Sequence, residues 1–280
     1  MSAVMALADR ALAPVEQVRT IRLGMAQLAP EGLSEQWLLR ECGDIHWSLI
    51  AEAAGLDRAV FTDSEGRPAY AAFCATSLEV SRSTIRLQGA EVIIKSGIFR
   101  LSRGRTGSIH AVCHQGQELA RLSMISTFVS HDESGLNRRI VRNRTVSEAE
   151  LPSAPATLLA LNNAAREVSK SSQELLAASD KGYRERPCPS LDFNAVGLLY
   201  FPVFSRLAER AQWETNRSLA PLARRDVVYL GNLDQGDSIE VLKTRLGMGI
   251  FRDDGLLIAC VRTSRHVRPV LSETQPNTCA

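Results

Sequence analysis

The sequence predicts an α+β fold in which one helix-and-sheet unit is used twice. Two apolar, helix-like runs open at residues 44–47 (Asp-Ile-His-Trp) and 192–195 (Asp-Phe-Asn-Ala), roughly a domain length apart. Gly55 suits the left-handed C-terminal cap of the first helix, and Pro202 fits the first turn of the second. Segments with strand character follow each helix, with turn-forming residues between them.

Several of the predicted strands alternate apolar and polar side chains with an imperfect period of two, as expected of an antiparallel sheet with one solvated face. They cover residues 69–80, 91–101, 108–114 and 118–129 in the first half and 227–230, 238–245 and 256–263 in the second. One buried helix followed by such a sheet, twice, predicts a double hot-dog fold. Its parts are a first unit at 1–144, a connector at 145–189 and a second unit at 190–280. The alternative is an accidental repeat, because Asp-x-Asn and Asp-x-His are common tripeptides.

The composition is that of an ordinary soluble globular protein, with 45% hydrophobic and 23% charged residues in a chain of 280. No apolar run is long enough to span a membrane, and no signal peptide is recognisable, so a cytoplasmic location is expected. The six cysteines lack CxxC spacing, which indicates neither disulfides nor a metal site. A net charge of +2 is too small to argue for nucleic acid.

Three arginine clusters stand out from this balanced background. They are Arg100, Arg103 and Arg105; Arg138, Arg139, Arg142 and Arg144; and Arg224 with Arg225. Each suits phosphates or an acidic protein, or else a solvated loop face. The connector contains a helical pattern from residue 153 to 175, and the tail after residue 270 is predicted to fray.

The sequence lacks the GxSxG, HExxH and glycine-rich phosphate motifs, so the site must be built from scattered residues. Unpaired N–H groups at a helix N-terminus can stabilise the oxyanion of a thioester reaction. Gly197 and the backbone around His46 and Trp47 are the predicted positions for such groups.

Four segments, 24–28, 32–39, 43–47 and 192–201, are similar to the leinamycin-pathway family of bifunctional acyltransferase/decarboxylases. The resemblance implies a double hot-dog enzyme of polyketide biosynthesis without a cofactor. Such an enzyme takes methylmalonyl-CoA, acylates its own tyrosine, decarboxylates the acyl group and passes propionyl to an acyl carrier protein.

The resemblance also implies site residues. The family's nucleophile follows the first helix, where Tyr70 is the only tyrosine of the first unit, and Tyr229 is its competitor in the second. From their positions at the two predicted helix starts, and not from the family, we expect His46 and Asn194 beside the enolate oxygen, with Trp47, Asp192 and Gly197 at the substrate. The structural alternatives are a core or capping histidine, a turn-capping aspartate, a packing tryptophan and, for Tyr70, an ordinary sheet tyrosine.

Two other classes of function stay open. A thioesterase would use Asp192 or Asp44 to position water and release free acid. A non-catalytic double hot-dog would bind an acyl carrier protein without turnover. The expected partners are methylmalonyl-CoA, the carrier protein and a second copy of the chain, with no nucleic acid and no membrane.

Overall fold

The computed structural model describes residues 15–81, 87–143, 150–172, 182–217 and 219–267; Arg144 and the tail predicted to fray lie outside them. The helices are α1 (Glu35–Ala53), α2 (Ala156–Ser171), α3 (Pro189–Asp192) and α4 (Phe201–Thr215). Strands before α2 are β1 (Val15–Arg22), β2 (Leu28–Ala29), β3 (Gly32–Leu33), β4 (Phe61–Thr62), β5 (Pro68–Val80), β6 (Glu91–Ser102), β7 (Arg105–His114), β8 (Gln117–Ser130) and β9 (Val141–Arg142). Strands after α2 are β10 (Tyr183–Glu185), β11 (Leu222–Tyr229), β12 (Ile239–Thr244), β13 (Gly247–Arg252) and β14 (Leu257–Arg265).

Helix α1 begins earlier than the sequence pattern suggested. Ser34 is its N-cap, and the Ser34 hydroxyl accepts a hydrogen bond from the Trp37 backbone N–H at 3.3 Å. The prediction that residues 44–47 open this helix is therefore wrong, since His46 lies deep inside it. The C-terminal prediction is confirmed, because Gly55 follows the helix with a φ of +68°.

The main sheet is antiparallel and runs in the order β1-β6-β7-β8-β5-β11-β14-β13-β12-β10. Strands β5 and β11 join the two halves through pairs such as Ser77 with Asp226 and Ala75 with Val228. The predicted strands are confirmed, and 91–101 and 118–129 differ from β6 and β8 only at their ends. Strand β10 lies within the range predicted as connector, yet it pairs with β12 in the second half.

The two faces of the sheet carry different helices. Helix α1 packs on the first half and α4 on the second half of the inner face, where Leu49 and Leu207 are fully buried. Helix α2 covers the seam between the halves on the outer face and buries Leu158 and Val168 there. The predicted connector helix is thereby confirmed as a packing element.

Strand β5 presents alternate residues to these two faces. Ala69, Ala71 and Phe73 belong to the inner core with α1, so Tyr70 between them points to the outer face. A bulge between Phe73 and Ala75 then changes the alternation, and Ala75 packs in the outer core with α2.

Gly43 in α1 lies where the helices α1 and α4 approach each other. A Cβ atom at this position would lie 2.9 Å from the ring of Phe201, which is 7% exposed. We expect Gly43→Ala to lower the free energy of unfolding by about 1–3 kcal/mol through overpacking. Chemical denaturation should measure this loss. The substitution Glu52→Ala, at an exposed position of the same helix, is the control, and an equal or smaller loss in Gly43→Ala would contradict the close packing.

Candidate functional site

A loop from the first unit crosses to the second immediately after β8. Residues 131–140 of this loop, here called the clasp, contain a short 3-10 helix, Asn137–Arg139. The Asn137 backbone N–H donates to Asp234 Oδ1 at 2.6 Å. The Arg138 guanidinium pairs with Asp234 at 2.6 Å and with Asp237 at 2.7 Å. The clasp therefore fixes a segment of the first unit onto the loop between β11 and β12 in the second.

The side chain of Asn137 is the centre of the clasp and is 8% exposed. Its Nδ2 donates to the Gly197 carbonyl at 2.6 Å and to the Leu233 carbonyl at 3.0 Å. Its Oδ1 lies 2.9 Å from His131 Nε2. Because both amide protons are used on carbonyls, Oδ1 is the acceptor, and His131 Nε2 must carry a proton. A neutral His131 then has an unprotonated Nδ1, with no partner among the residues that the structure describes.

Tyr70 lies against His131 at the start of β5. The two rings meet edge to face, with centroids 5.8 Å apart and planes at 74°. Tyr70 is half-buried, and its hydroxyl has no hydrogen-bond partner in the described ranges of the chain. Trp47 supports this part of β5 from the inner face, since its indole N–H donates to the Ala71 carbonyl at 2.9 Å. The structure thus gives Trp47, predicted at the substrate, a supporting contact beside Tyr70.

The segment before α4 is a hydrogen-bonded turn. Asn194 Oδ1 accepts from the backbone N–H groups of Val196 at 3.1 Å and Leu198 at 3.0 Å. Gly197 has a φ of +77°, which favours glycine, and its carbonyl is the one held by Asn137. The amide group Nδ2 is consequently the donor that Asn194 can offer to a substrate.

Asp192 is occupied by structural contacts. Its Oδ2 accepts from the Cys188 backbone N–H at 2.8 Å, and its Oδ1 accepts from Arg206 at 2.9 Å. The side chain is mostly buried by these contacts. The geometry is that of a capping and ion-pairing residue, which favours the structural role for Asp192 over a role in contacting the substrate.

His46 is fully buried between α1 and the sheet, within a chain of five polar side chains. Its Nε2 lies 2.8 Å from Ser126 Oγ and its Nδ1 2.7 Å from Ser108 Oγ. Ser108 Oγ is also 2.7 Å from His110 Nε2, and His110 Nδ1 is 2.8 Å from Ser96 Oγ. Both ring nitrogens of His46 are therefore already used inside the protein, and none is free for a substrate.

Burial lowers the pKa of both His46 and His110 to about 3, so each ring is held neutral. A neutral imidazole has one N–H, and Ser108 has one O–H between the two rings. The Ser108 hydroxyl must donate to one histidine and accept from the other, so both histidines are the same tautomer. The chain of hydrogen bonds runs in a single direction across the interior.

The predicted catalytic residues do not converge on one point. Tyr70 points to the outer face of β5, whereas His46 contacts Phe73 on the inner face, with ring centroids 5.0 Å apart. Tyr70 is instead linked through His131 and Asn137 to the turn that contains Gly197 and Asn194. His131 and Asn137 lie in a polar loop without a recognisable motif, so the sequence does not single them out.

Two other tyrosines are less available than Tyr70. The hydroxyl of Tyr229, the internal competitor, hydrogen-bonds to Thr76 Oγ1 at 3.1 Å, and burial raises its pKa. Burial raises the pKa of Tyr200 to about 12, with a further contribution from the Asp44 carboxylate. Burial also raises the pKa of Asp44 itself.

Buried charges lie between the start of α1 and the middle of α4. Arg225, which is 2% exposed, places Nε 2.9 Å from Glu35 Oε1 and pairs with Glu209 through Nη2. The Nε contact is an ion pair by distance but is not aligned as a hydrogen bond. Arg265 pairs with Glu209 at 2.6 Å. Burial raises the pKa of Glu35, and the Arg225 charge opposes that increase.

A cleft of about 380 Å³ runs beside α2 on the outer face, some distance along the seam from Tyr70. Of the three arginines that line it, Arg224 is paired with Glu79 at 2.8 Å and Asp226 at 2.9 Å. Its thiol, Cys260, has a pKa raised by burial. The thiol of this cleft is therefore not an activated nucleophile.

Within the described ranges, no group of three or more His, Cys, Asp and Glu side chains is arranged to hold a metal ion. Among the helices that the structure describes, none combines the length and apolar character needed to cross a membrane.

Helices α1 and α4 are each wrapped by one half of a joined antiparallel sheet, which defines a double hot-dog fold. The chain is similar in structure to a 12:0-ACP thioesterase from Umbellularia californica, with a TM-score of 0.63, 13% identity, and 90% of this chain and 98% of that chain covered. For an acyl-ACP thioesterase from Bacteroides thetaiotaomicron the TM-score is 0.58 at 11% identity, with 89% of this chain and 96% of that chain covered. For a MaoC-like dehydratase from Phytophthora capsici the TM-score is 0.50 at 13% identity, with 92% of this chain and 99% of that chain covered.

No protein-family model matches the chain, and no curated protein matches it. At these identities the structural neighbours establish the fold, and they include both thioesterases and a dehydratase. The same fold therefore accommodates different reactions, and the reaction of this chain must be argued from its own site.

Proposed function

We propose that the chain is an acyltransferase that acts on acyl thioesters and carries the acyl group on Tyr70. The single observation behind this proposal is the half-buried Tyr70, whose ring contacts His131 and whose hydroxyl has no hydrogen-bond partner among the residues that the structure describes. A phenol ester is an activated ester, because phenolate is a better leaving group than an alkoxide. Transfer from Tyr70 to a second thiol would therefore need no strong acid.

The finer assignment rests on the resemblance to the acyltransferase/decarboxylase family. On that basis the donor is methylmalonyl-CoA, the acyl group loses carbon dioxide, and propionyl passes to an acyl carrier protein. Asn194 stays a candidate donor to the enolate oxygen through Nδ2, and Gly197 belongs to the same turn. We no longer propose His46 for this role, since both its ring nitrogens are hydrogen-bonded in the core.

Hydrolysis of acyl thioesters is the second candidate, favoured by the acyl-ACP thioesterases among the structural neighbours. Asp192 is a poor water-activating base here because Arg206 and the Cys188 N–H already occupy its carboxylate. Asp44 is the better candidate, since its side chain is open to solvent while its partial burial and the Glu41 charge raise its pKa. Asp44 lies close enough to Tyr200 to raise the pKa of that tyrosine.

The two candidates predict different products. We expect intact-protein mass spectrometry after mixing with methylmalonyl-CoA to show an acyl adduct on the wild type and none on Tyr70→Phe, which loses only one hydroxyl. Tyr200→Phe is the control and should keep the adduct. Free acid released without an acylated protein, equally in wild type and Tyr70→Phe, would instead support the thioesterase and count against Tyr70.

The carrier protein would dock on a basic surface near Tyr70. Arg138 does not serve this purpose, because its charge is paired with Asp234 and Asp237 inside the clasp. Arg139 and Arg142 are exposed, and Arg142 pairs with Val129, the β8 partner of Tyr70. These two arginines are the proposed contacts to an acidic carrier. Assembly of the chain as a homodimer stays a prediction.

A further inference from the structure

We infer that His131 is the base that takes the proton of Tyr70, and that Asn137 is the residue that holds His131 in the required tautomer. This inference rests on the proposed acyl transfer through Tyr70 and adds the group that activates the nucleophile. Activation is needed because an ordinary phenol has a pKa near 10 and is almost entirely protonated at neutral pH.

The Asn137 amide has one possible orientation, with Nδ2 towards the second unit. Two backbone carbonyls, those of Gly197 and Leu233, lie within hydrogen-bond distance of Nδ2, at 2.6 and 3.0 Å. The opposite orientation would place the amide oxygen against two carbonyl oxygens, which is repulsive. The side chain is buried, so water does not offer a substitute partner, and the orientation is fixed by the second unit.

The tautomer of His131 follows from this orientation. Asn137 Oδ1 can only accept, so the His131 nitrogen 2.9 Å away, Nε2, must donate. In the neutral ring Nδ1 is then a lone-pair acceptor. A nucleophile, a base in contact with it and a third group that orients the base form the usual arrangement for activating a hydroxyl.

The base lies next to the nucleophile. His131 packs against the Tyr70 ring, and neither its Nδ1 nor the Tyr70 hydroxyl has a hydrogen-bond partner in the part of the chain described. Catalytic hydrogen bonds are often long in enzymes without substrate and shorten when the complex forms. The edge-to-face contact, with ring centroids 5.8 Å apart, makes His131 the direct neighbour of Tyr70 at the end of the clasp.

Acyl transfer to Tyr70 needs one proton to leave the hydroxyl and one to reach the departing thiolate. The Tyr70 hydroxyl proton moves to His131 Nδ1 as the phenolic oxygen forms a bond to the thioester carbonyl carbon. The carbon–sulfur bond then breaks, and the leaving thiolate takes the proton back from Nδ1. The products are acyl-Tyr70, a free thiol and neutral His131, so no oxidant, metal or other reactant is consumed.

The variant His131→Gln tests the base without dismantling the clasp, because the glutamine amide can still donate to Asn137 Oδ1. We expect self-acylation from methylmalonyl-CoA to slow by about 100-fold or more, the usual contribution of a general base. His131→Ala should be slowed similarly and be partly restored by added imidazole. His114→Ala, at a histidine bonded to the Glu91 carbonyl elsewhere on the sheet, is the matched control and should react as the wild type does.

Two measurements judge His131 even if methylmalonyl-CoA is the wrong donor. Acetylation of Tyr70 by N-acetylimidazole, followed by peptide mapping, should slow in His131→Gln by a similar factor of about 100, with Tyr183 as the internal reference. Nitrogen-15 NMR should show His131 with the proton on Nε2. A wild-type rate of Tyr70 acetylation in His131→Gln, or a proton on Nδ1 instead, would overturn the inference. Failure of the CoA assay alone, with both results intact, would count against the proposed donor.

Discussion

Acidification from pH 7 to pH 5 is expected to lower the free energy of unfolding by about 4 kcal/mol through His46 and His110 alone. Burial lowers the pKa of each ring to about 3 in the folded state, against an ordinary value of 6.5. Above pH 6.5 both rings are neutral in the folded and unfolded chains, so they do not affect the pH dependence. As the pH falls from 6.5 towards 3, only the unfolded chain takes up these protons, and stability is lost.

Urea denaturation at several pH values measures this loss, and the double variant His46→Gln/His110→Gln is the comparison. The variant starts less stable but should lose about 4 kcal/mol less than the wild type between pH 7 and 5. If the variant does not fold, NMR titration of the wild-type rings decides the matter. Protonation of either ring near pH 6 in the folded protein would show that the chain of serines and histidines is open to water.

Replacement of Arg225 by leucine is expected to cost about 3–5 kcal/mol of stability, as breaking one side of a buried ion pair does. The substitution removes the guanidinium whose Nε lies 2.9 Å from Glu35 Oε1, and leaves the largely buried Glu35 carboxylate without its positive partner. The Glu209 carboxylate would keep only Arg265 as a charged partner. Thermal or chemical denaturation at pH 7 measures the effect.

Arg224 provides the matched control because it is the adjacent residue on β11 and also pairs with two carboxylates. Its side chain is 48% exposed, against 1% for Arg225. We expect Arg224→Leu to cost no more than about 1 kcal/mol, since solvent screens exposed ion pairs. The double variant Arg225→Leu/Glu35→Leu should recover part of the loss. Equal losses at Arg224 and Arg225 would mean that the inner pair is far more solvated than its burial indicates.

The regular parts of the fold were predictable because they depend on local patterns. The alternation along residues 239–245 predicted a strand near β12, and Gly55 and Pro202 marked helix ends correctly. The start of α1 is also marked locally, since Ser34 precedes an apolar repeat at helical spacing that includes Leu38, Cys42 and Leu49. The prediction of a helix start at residues 44–47 overlooks this earlier signal.

The candidate site was less predictable because its contacts join residues far apart in the chain. Asn137 bonds to carbonyls 60 and 96 residues away, and no local pattern specifies such partners. The placement of Tyr70 and His46 on opposite faces follows from the alternation of β5 combined with the position of α1, which requires the three-dimensional structure. Tyr70 could be proposed as the nucleophile only through the resemblance to a known family.

The seam between β5 and β11 also bears on how the molecule unfolds. Either half alone would expose the paired edge of Ala75 or Val228, together with the apolar surface that α2 covers. Exposed edges of this kind favour aggregation, which makes an isolated half a poor folding unit. We therefore expect both halves to melt in one cooperative transition, and a chain cut between α2 and β10 to remain associated as a single particle.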